Sequence, residues 1–311
     1  MKNSKLQTGS REKAASVTQP CGALLVDKPA GMTSFDVVAL VRRELKVKKV
    51  GHAGTLDPFA TGMLILLLGK ATRLFDFFAP LEKEYRVTAR FGAASTTGDV
   101  DGEITTVPGV WVTEASIKAS LPQFRGCIKQ KAHAYSAVKV DGERMYKKAR
   151  RGEPVMAPLR DVRINSLELD SFDADAQQAV FSVACSKGTY VRQLCEDIAA
   201  SLNTVAYALS LRRTRIGKFD VKSAAGLEEL GSMTPGVKAM EAVPSFISCL
   251  GALYFLPVRE VDENDARAIT VGQMIDGREA RPVRLAHDGR LLAIYGPDKK
   301  TGRLRPLVVL A

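Results

Sequence analysis

Apolar positions along the chain follow two rhythms that mix without a fixed order. Ala23-Leu24-Leu25-Val26 is a short apolar run closed by the turn-prone Asp27-Lys28-Pro29-Ala30-Gly31, which predicts a buried strand. Thr33 or Ser34 stands where a helix cap belongs, and Val37, Val38, Val41 and Leu45 follow at helical spacing. A Gly-rich stretch at 50–62 leads into a continuous apolar run at 63–68, which reads as a central strand. Residues 71–78 read as a helix, 83–91 alternate like a strand, and 92–102 form a polar connection. Strand patterns return at 160–169 and 179–185, a helix at 190–202, and a strand at 206–216. The regular alternation of a parallel βαβ sheet is missing. The expected fold class is therefore α+β, built on a mostly antiparallel sheet.

The texture changes near Phe246. One short helix at 263–270 is followed by strands at 281–285, 291–295 and 304–310, with His287-Asp288-Gly289 as a hairpin tip. The expected division is a disordered basic extension at 1–21, a large domain at 22–245 and a small β-rich domain at 246–311. A length of 311 residues accommodates that division, and 46% hydrophobic residues suffice for a sizeable core. No apolar run approaches the length of a membrane helix, and residues 1–19 lack the apolar centre of a signal peptide. The five cysteines (Cys21, Cys127, Cys185, Cys195, Cys249) are scattered and form no C-x-x-C pair, and the three histidines lie far apart. That spacing argues against a zinc site and against a disulfide framework, so the expected location is a reducing cytoplasm.

Charge adds a partner class. Lys and Arg outnumber Asp and Glu by 45 to 34, a formal net charge of +11. Such an excess favours polyanions, because each phosphate neutralised releases condensed counterions. The excess is also local: nine Lys or Arg lie between Arg125 and Arg151 against Asp141 and Glu143 alone. Arg212, Arg213, Arg215 and Lys218 form a second run without acids. Runs this one-sided suit a phosphate-tracking surface.

Two stretches offer chemistry. Gly69-Lys70-Ala71-Thr72 suggests a phosphate loop, but Leu64 stands where the first glycine belongs and Ala71 where Ser or Thr must follow the lysine. That reading fails. The second is Gly51-His52-Ala53-Gly54-Thr55-Leu56-Asp57-Pro58-Phe59-Ala60-Thr61-Gly62, in which Asp57 is the only acid between Lys48 and Lys70. Pro58 biases Asp57 away from helix, and the flanking glycines permit sharp turns. Taken alone, the stretch fits either a structural Asx-turn or a catalytic carboxylate.

As a whole, this string followed by an apolar strand and Gly69-Lys70-Ala71-Thr72 resembles the active-site motif of the TruB family of tRNA pseudouridine synthases. The resemblance continues in order through Lys83-Glu84-Tyr85-Arg86-Val87 and Gly92 to Gly102, where Ser95 replaces a threonine. It extends through Tyr135-Ser136-Ala137-Val138-Lys139, Ser186-Lys187-Gly188-Thr189-Tyr190-Val191-Arg192 and Leu211-Arg212-Arg213-Thr214, so it covers roughly residues 22 to 220. Ala132-His133 departs from it, standing where many relatives carry proline; His133 reads as a surface or RNA-facing side chain. The C-terminal part resembles PUA-type RNA-binding barrels in size and strand content.

The resemblance implies that a uridine in the T-loop of tRNA is isomerised to pseudouridine, with Asp57 as the catalytic carboxylate. It also implies that Tyr85 stacks on the flipped base, His52 helps take up the flipped geometry, Tyr190 lines the pocket, Leu211 gives apolar contact, and Arg192 pairs with Asp57. The reaction breaks N1–C1′ and joins C5 to C1′. Nothing is oxidised and nothing leaves, so no metal, nucleotide or redox cofactor is expected. Addition of Asp57 to C6, its bonding to C1′, and removal of a proton beside C1′ all remain open. Glycoside hydrolysis, by contrast, generally uses two carboxylates, and this loop offers one. The expected protein acts alone, as a monomer with tRNA as its partner and no membrane. The other readings are a non-catalytic RNA-binding or ribosome-assembly protein, and an enzyme of this fold acting on another RNA within a guide-RNA complex.

Overall fold

The computed structural model describes residues 19–109, 111–131, 139–140, 143–145, 151, 158–232 and 240–310. Among them, ten strands form one large sheet. Its main path runs Phe246–Ser248, Gly22–Lys28, Thr61–Leu68, Ala206–Ile216, Lys83–Phe91, Gln178–Cys185, Leu159–Asp173, Gly126–Lys131. Val50–His52 pairs beside this path with Thr61–Leu68, and Phe219–Asp220 with Ala206–Ile216. Neighbours are antiparallel except at one junction in the middle, where Thr61–Leu68 and Ala206–Ile216 run parallel through Arg212↔Thr61 and Arg213↔Gly62. The α+β, mostly antiparallel class expected from the sequence is the class observed.

Thr61–Leu68 is a continuous apolar run because both of its faces are covered. Met63, Ile65 and Leu67 join Phe78, Phe219 and Leu253 on one side. Leu64, Leu66 and Leu68 meet Val37, Val38 and Val41 of the helix Ser34–Glu44 on the other. Thr33 caps that helix through a reciprocal pairing with Asp36. In the other half of the sheet, Val87, Ala89, Phe181 and Val183 pack against Leu194, Cys195 and Ile198 of the helix Val191–Ser201.

A separate four-stranded sheet is built from Val258–Glu260, Val283–His287, Arg290–Pro297 and Leu304–Val309. It has its own core, in which Val283, Leu285, Tyr295 and Leu304 meet Ile269 of the helix Glu263–Thr270. Asp288 and Gly289 both take positive φ, the two-residue turn that the hairpin signal predicted. Phe246–Ser248, where the sequence texture changes, pairs with Gly22–Lys28 inside the large sheet.

Two differences from the sequence reading have local causes. The helix predicted over 71–78 is a 3-10 turn, Gly69–Leu74, continued by a single α turn, Phe75–Phe78. Thr72 donates its hydroxyl to the Gly69 carbonyl, competing with regular helical pairing. The strand Gly126–Lys131 carries no apolar signal because it lies at the sheet edge with most of its residues exposed or half-buried.

Gly62 sits at the parallel junction with φ +103°, and a Cβ there would fall 2.2 Å from the Arg213 carbonyl oxygen. Gly62→Ala is therefore expected to cost at least about 2 kcal/mol of stability, from backbone strain and the clash together. Urea unfolding of the two proteins measures it. A loss below about 0.5 kcal/mol, typical of an unconstrained surface site, would contradict so tight a junction.

Candidate active site

Asp57 lies in the loop between Val50–His52 and Thr61–Leu68, and two buried cations hold that loop by its backbone. Lys28, fully buried at the end of its strand, donates from Nζ to the carbonyls of Pro29 (2.8 Å), Met32 (2.7 Å) and Pro58 (3.1 Å). Burial is the main cause that lowers the Lys28 ammonium to about 8, against which the Asp57 charge acts. Arg213, 2% exposed, donates from Nε to Met63 O (2.7 Å), from Nη1 to Thr55 O (3.3 Å) and from Nη2 to Gly54 O (3.1 Å). Ser34 Oγ exchanges hydrogen bonds with both the N–H and the carbonyl of Leu56. The residues on either side of Asp57 are thus pinned from beneath, leaving its side chain to point away from the core, 36% exposed.

The Asp57 carboxylate meets Arg192, the second residue of the helix Val191–Ser201. Arg192 Nε lies 3.0 Å from Asp57 Oδ2, and Arg192 Nη1 lies 2.8 Å from Asp99 Oδ2 and 2.7 Å from the Thr97 carbonyl. Arg192 and Asp99 are both almost fully buried. Asp99 is oriented in turn by the Thr97 hydroxyl at 2.6 Å and the Asp101 N–H at 3.1 Å. One guanidinium therefore bridges a buried carboxylate and a half-exposed one. The start of the helix is fixed by Gln130, which accepts from the Tyr190 N–H at 2.8 Å and donates to the Tyr190 carbonyl at 3.1 Å.

A cavity of about 340 Å³ opens above this arrangement. Its lining includes Asp57, Lys83, Tyr85, Tyr190, Arg192 and Leu211, and Asp57 is the one carboxylate among the lining residues. Tyr85 stands opposite Arg213 across the sheet; burial pushes its phenol up. Lys83, held by the Ala79 and Leu81 carbonyls, is lowered to about 8, mainly by burial. His52 is not among the lining residues. It pairs with Leu66 in the sheet and meets the exposed Phe35 ring edge-on at 5.1 Å. Burial, then the Arg213 charge, pushes its imidazole down.

The second basic run is only partly a surface. Arg213 faces inward, Arg212 makes a two-point contact with Asp27 (2.6 and 3.0 Å), Arg215 is exposed but pairs with Glu84, and Lys218 is exposed over the Tyr254 ring. The run lacks acids in sequence, yet the sheet supplies them from neighbouring strands. Of the first run, Lys129 faces Asp161, Arg151 pairs with Glu143, and Arg125 donates to the Leu167 carbonyl. Ala132-His133 and the Tyr135-Ser136-Ala137-Val138 motif lie outside the described residues.

The sequence and its relatives place this site in a family. The model of the TruB family pseudouridylate synthase (N terminal domain) matches residues 42–191. A tRNA pseudouridine synthase B from Thermobifida fusca (strain YX) is 40% identical over 299 residues, covering 93% of this chain and 98% of that protein. The chain belongs to the TruB family. A second TruB relative, from Leifsonia xyli subsp. xyli (strain CTCB07), is 45% identical over 235 residues, covering 74% of this chain and 78% of its own length. The TruB fold is shared more distantly with a chain of an H/ACA ribonucleoprotein bound to a substrate RNA containing 2'-deoxyuridine. That chain has a TM-score of 0.70 at 23% identity, with 93% of this chain and 85% of that one covered. Within the TruB chain described here, Lys28, Asp99 and Arg213 are the site-building residues that local sequence reasoning passed over. Asp99 and Arg213 each had a signal, as members of the Gly92-to-Gly102 and Leu211-to-Thr214 motifs; Lys28 had none, because its partners are backbone carbonyls.

Asp99→Asn removes one of the two carboxylates that balance buried Arg192. It is expected to cost about 3 kcal/mol of stability, as for other broken buried pairs. Thermal and urea unfolding measure the loss, and an unchanged midpoint would show that Arg192 is balanced without Asp99.

Proposed function

We propose that this protein isomerises a uridine in the T-loop of tRNA to pseudouridine, with Asp57 as the catalytic carboxylate. The observation that carries the reading is a single, Arg192-held carboxylate in a cavity of about 340 Å³, within the size range of small-ligand sites. A stacked uridine cannot reach such a cavity, so it must be flipped out of the RNA, at a cost of a few kcal/mol. Stacking on an aromatic face returns about 1–3 kcal/mol per base. Tyr85 is our candidate for that face, with Leu211 and Tyr190 enclosing the ring. His52, beside Phe35 and outside the cavity, sits where it would meet the RNA left behind by the flipped base.

Arg192 aims the carboxylate and keeps its charge balanced, while the N1–C1′ bond breaks and C5 is joined to C1′. Because the isomerisation needs no oxidant and no leaving group, the chain's own residues suffice for it. For the polyanion, exposed Arg42, Arg43, Lys46 and Lys48 cluster at the end of the helix Ser34–Glu44 and supply phosphate contacts. We assign 22–245 to catalysis and 246–311 to a PUA-like RNA-binding role, and expect the protein to act in the cytoplasm as a monomer without protein partners. Relatives named tRNA pseudouridine synthase B, alike over nearly their whole length, support stand-alone action over a guide-RNA complex. Among the described residues no helix is long and apolar enough to cross a membrane.

Asp57→Asn is expected to abolish pseudouridine formation in unmodified tRNA while tRNA affinity stays within a few-fold, since phosphate contacts carry the binding. Carbodiimide labelling of pseudouridine and a filter-binding titration measure the two. Turnover at a substantial fraction of the unmutated rate would sink the assignment.

Tyr85→Leu is expected to lose far more activity than Tyr85→Phe, because stacking requires a ring and no hydroxyl. Equal losses in single-turnover assays would instead point to the phenolic oxygen.

A further inference from the structure

Two cysteines far apart in sequence meet at the edge of the large sheet. The pairs Gly22↔Ser248, Ala23↔Ile247 and Leu24↔Phe246 set an antiparallel register, and Cys21 just before it and Cys249 just after it, at the start of the helical turn Cys249–Ala252, come side by side. The two sulfurs are 3.3 Å apart and both thiols are free. The fold has therefore brought the two sulfurs into direct contact, the arrangement from which a disulfide can close.

The surroundings of the two thiols differ. Cys249 is buried, whereas Cys21 is partly exposed. Gly69-Lys70-Ala71, the segment that fails as a phosphate loop, turns beneath Cys21. The Pro20 carbonyl lies against Gly69, and the Lys70 and Ala71 amides approach the Cys21 sulfur. Backbone amides at a tight turn and a nearby ammonium favour an anion. The hydrogen bond from Cys249, then these amides and the Lys70 charge, outweigh burial and lower the Cys21 thiol to about 7. Cys249 moves the other way, raised by its contact with Cys21 and by burial. Burial also pushes up Cys185 and Cys195, while Cys127 is simply exposed.

We propose that Cys21 and Cys249 form an oxidant-modifiable dithiol, which a hydroperoxide converts to a disulfide joining the start of the large sheet to the turn Cys249–Ala252. The Cys21 thiolate attacks the peroxide, the O–O bond breaks, and Cys21 becomes a sulfenic acid while the departing oxygen is protonated. Cys249 then gives up its proton and attacks the Cys21 sulfur. The S–O bond breaks, and the hydroxide leaves as water with that proton. Two thiols have lost two electrons to one peroxide. Cys249 packs with Ala252 and Leu253 in the cluster that also holds Leu291, Ile294 and Leu310, so the bond fastens the strand Gly22–Lys28 to the seam with the C-terminal sheet. It closes a loop spanning 228 positions.

The test uses the full chain, reduced, freed of thiol reagents and treated with one equivalent of hydrogen peroxide. Non-reducing peptide mapping is expected to show one Cys21–Cys249 cross-linked peptide that dithiothreitol reverses, with a thermal midpoint raised by a few degrees. Cys249→Ser, a change at one small side chain, is expected to divert the reaction to a dimedone-trapped sulfenic acid at Cys21. Oxidation beginning at Cys127, over-oxidation of Cys21 with Cys249 unchanged, or an unaltered thiol count would each overturn the proposal. Because the readout is chemical and independent of RNA, it stands or falls apart from the catalytic reading.

Discussion

The arrangement depends on two positive charges buried where no carboxylate meets them among the described residues. An ammonium or guanidinium removed from water is costly unless its protons find acceptors. Lys28 and Arg213 find theirs in backbone carbonyls, which ties the carbonyls of Gly54, Thr55, Pro58 and Met63 to fixed points in the sheet. The requirement works in both directions: the cations need the loop in this conformation, and the loop's inward carbonyls need the cations. Asp57 is the residue left between these anchors with its side chain turned outward.

The parallel junction explains why the second anchor can exist. Elsewhere the large sheet is antiparallel, but Gly62 and Arg213 run side by side in the same direction and in close contact. That places the Arg213 side chain at the strand end from which the Asp57 loop departs. Arg192 completes the geometry from the opposite wall. Its guanidinium is already engaged by Asp99 and the Thr97 carbonyl, so it presents Nε to Asp57 in one orientation. A carboxylate held this way is preorganised, and under the proposed function it would meet the reacting atoms without reorganising, which is where such sites gain their rate.

Most of this fold was legible in the sequence wherever burial leaves a periodic trace. Lys83–Phe91, Ala206–Ile216 and Glu263–Thr270 have the bounds that their spacing predicts. The edge strand Gly126–Lys131 was silent because exposed edges need no apolar alternation. Around the site, Asp57, Tyr85, Tyr190, Arg192 and Leu211 line one cavity and His52 lies outside it. Lys28 read as part of a turn and Arg213 as part of a basic surface run, since a carbonyl acceptor leaves no mark on the sequence. Asp27 and Glu84 likewise neutralise Arg212 and Arg215 only after the sheet has formed. The Cys21–Cys249 contact was hidden in the same way, by strand register across 228 positions.

In the proposed reaction Asp57 is the one carboxylate of the cavity and acts on one flipped base. A nucleotide-resolution map of pseudouridine in unmodified tRNA, after incubation with the purified protein and a metal chelator, tests this most directly. Conversion of one T-loop uridine to near completion is expected, with no other position altered. Conversion that fails under the chelator, or that falls on uridines outside the T-loop, would contradict it.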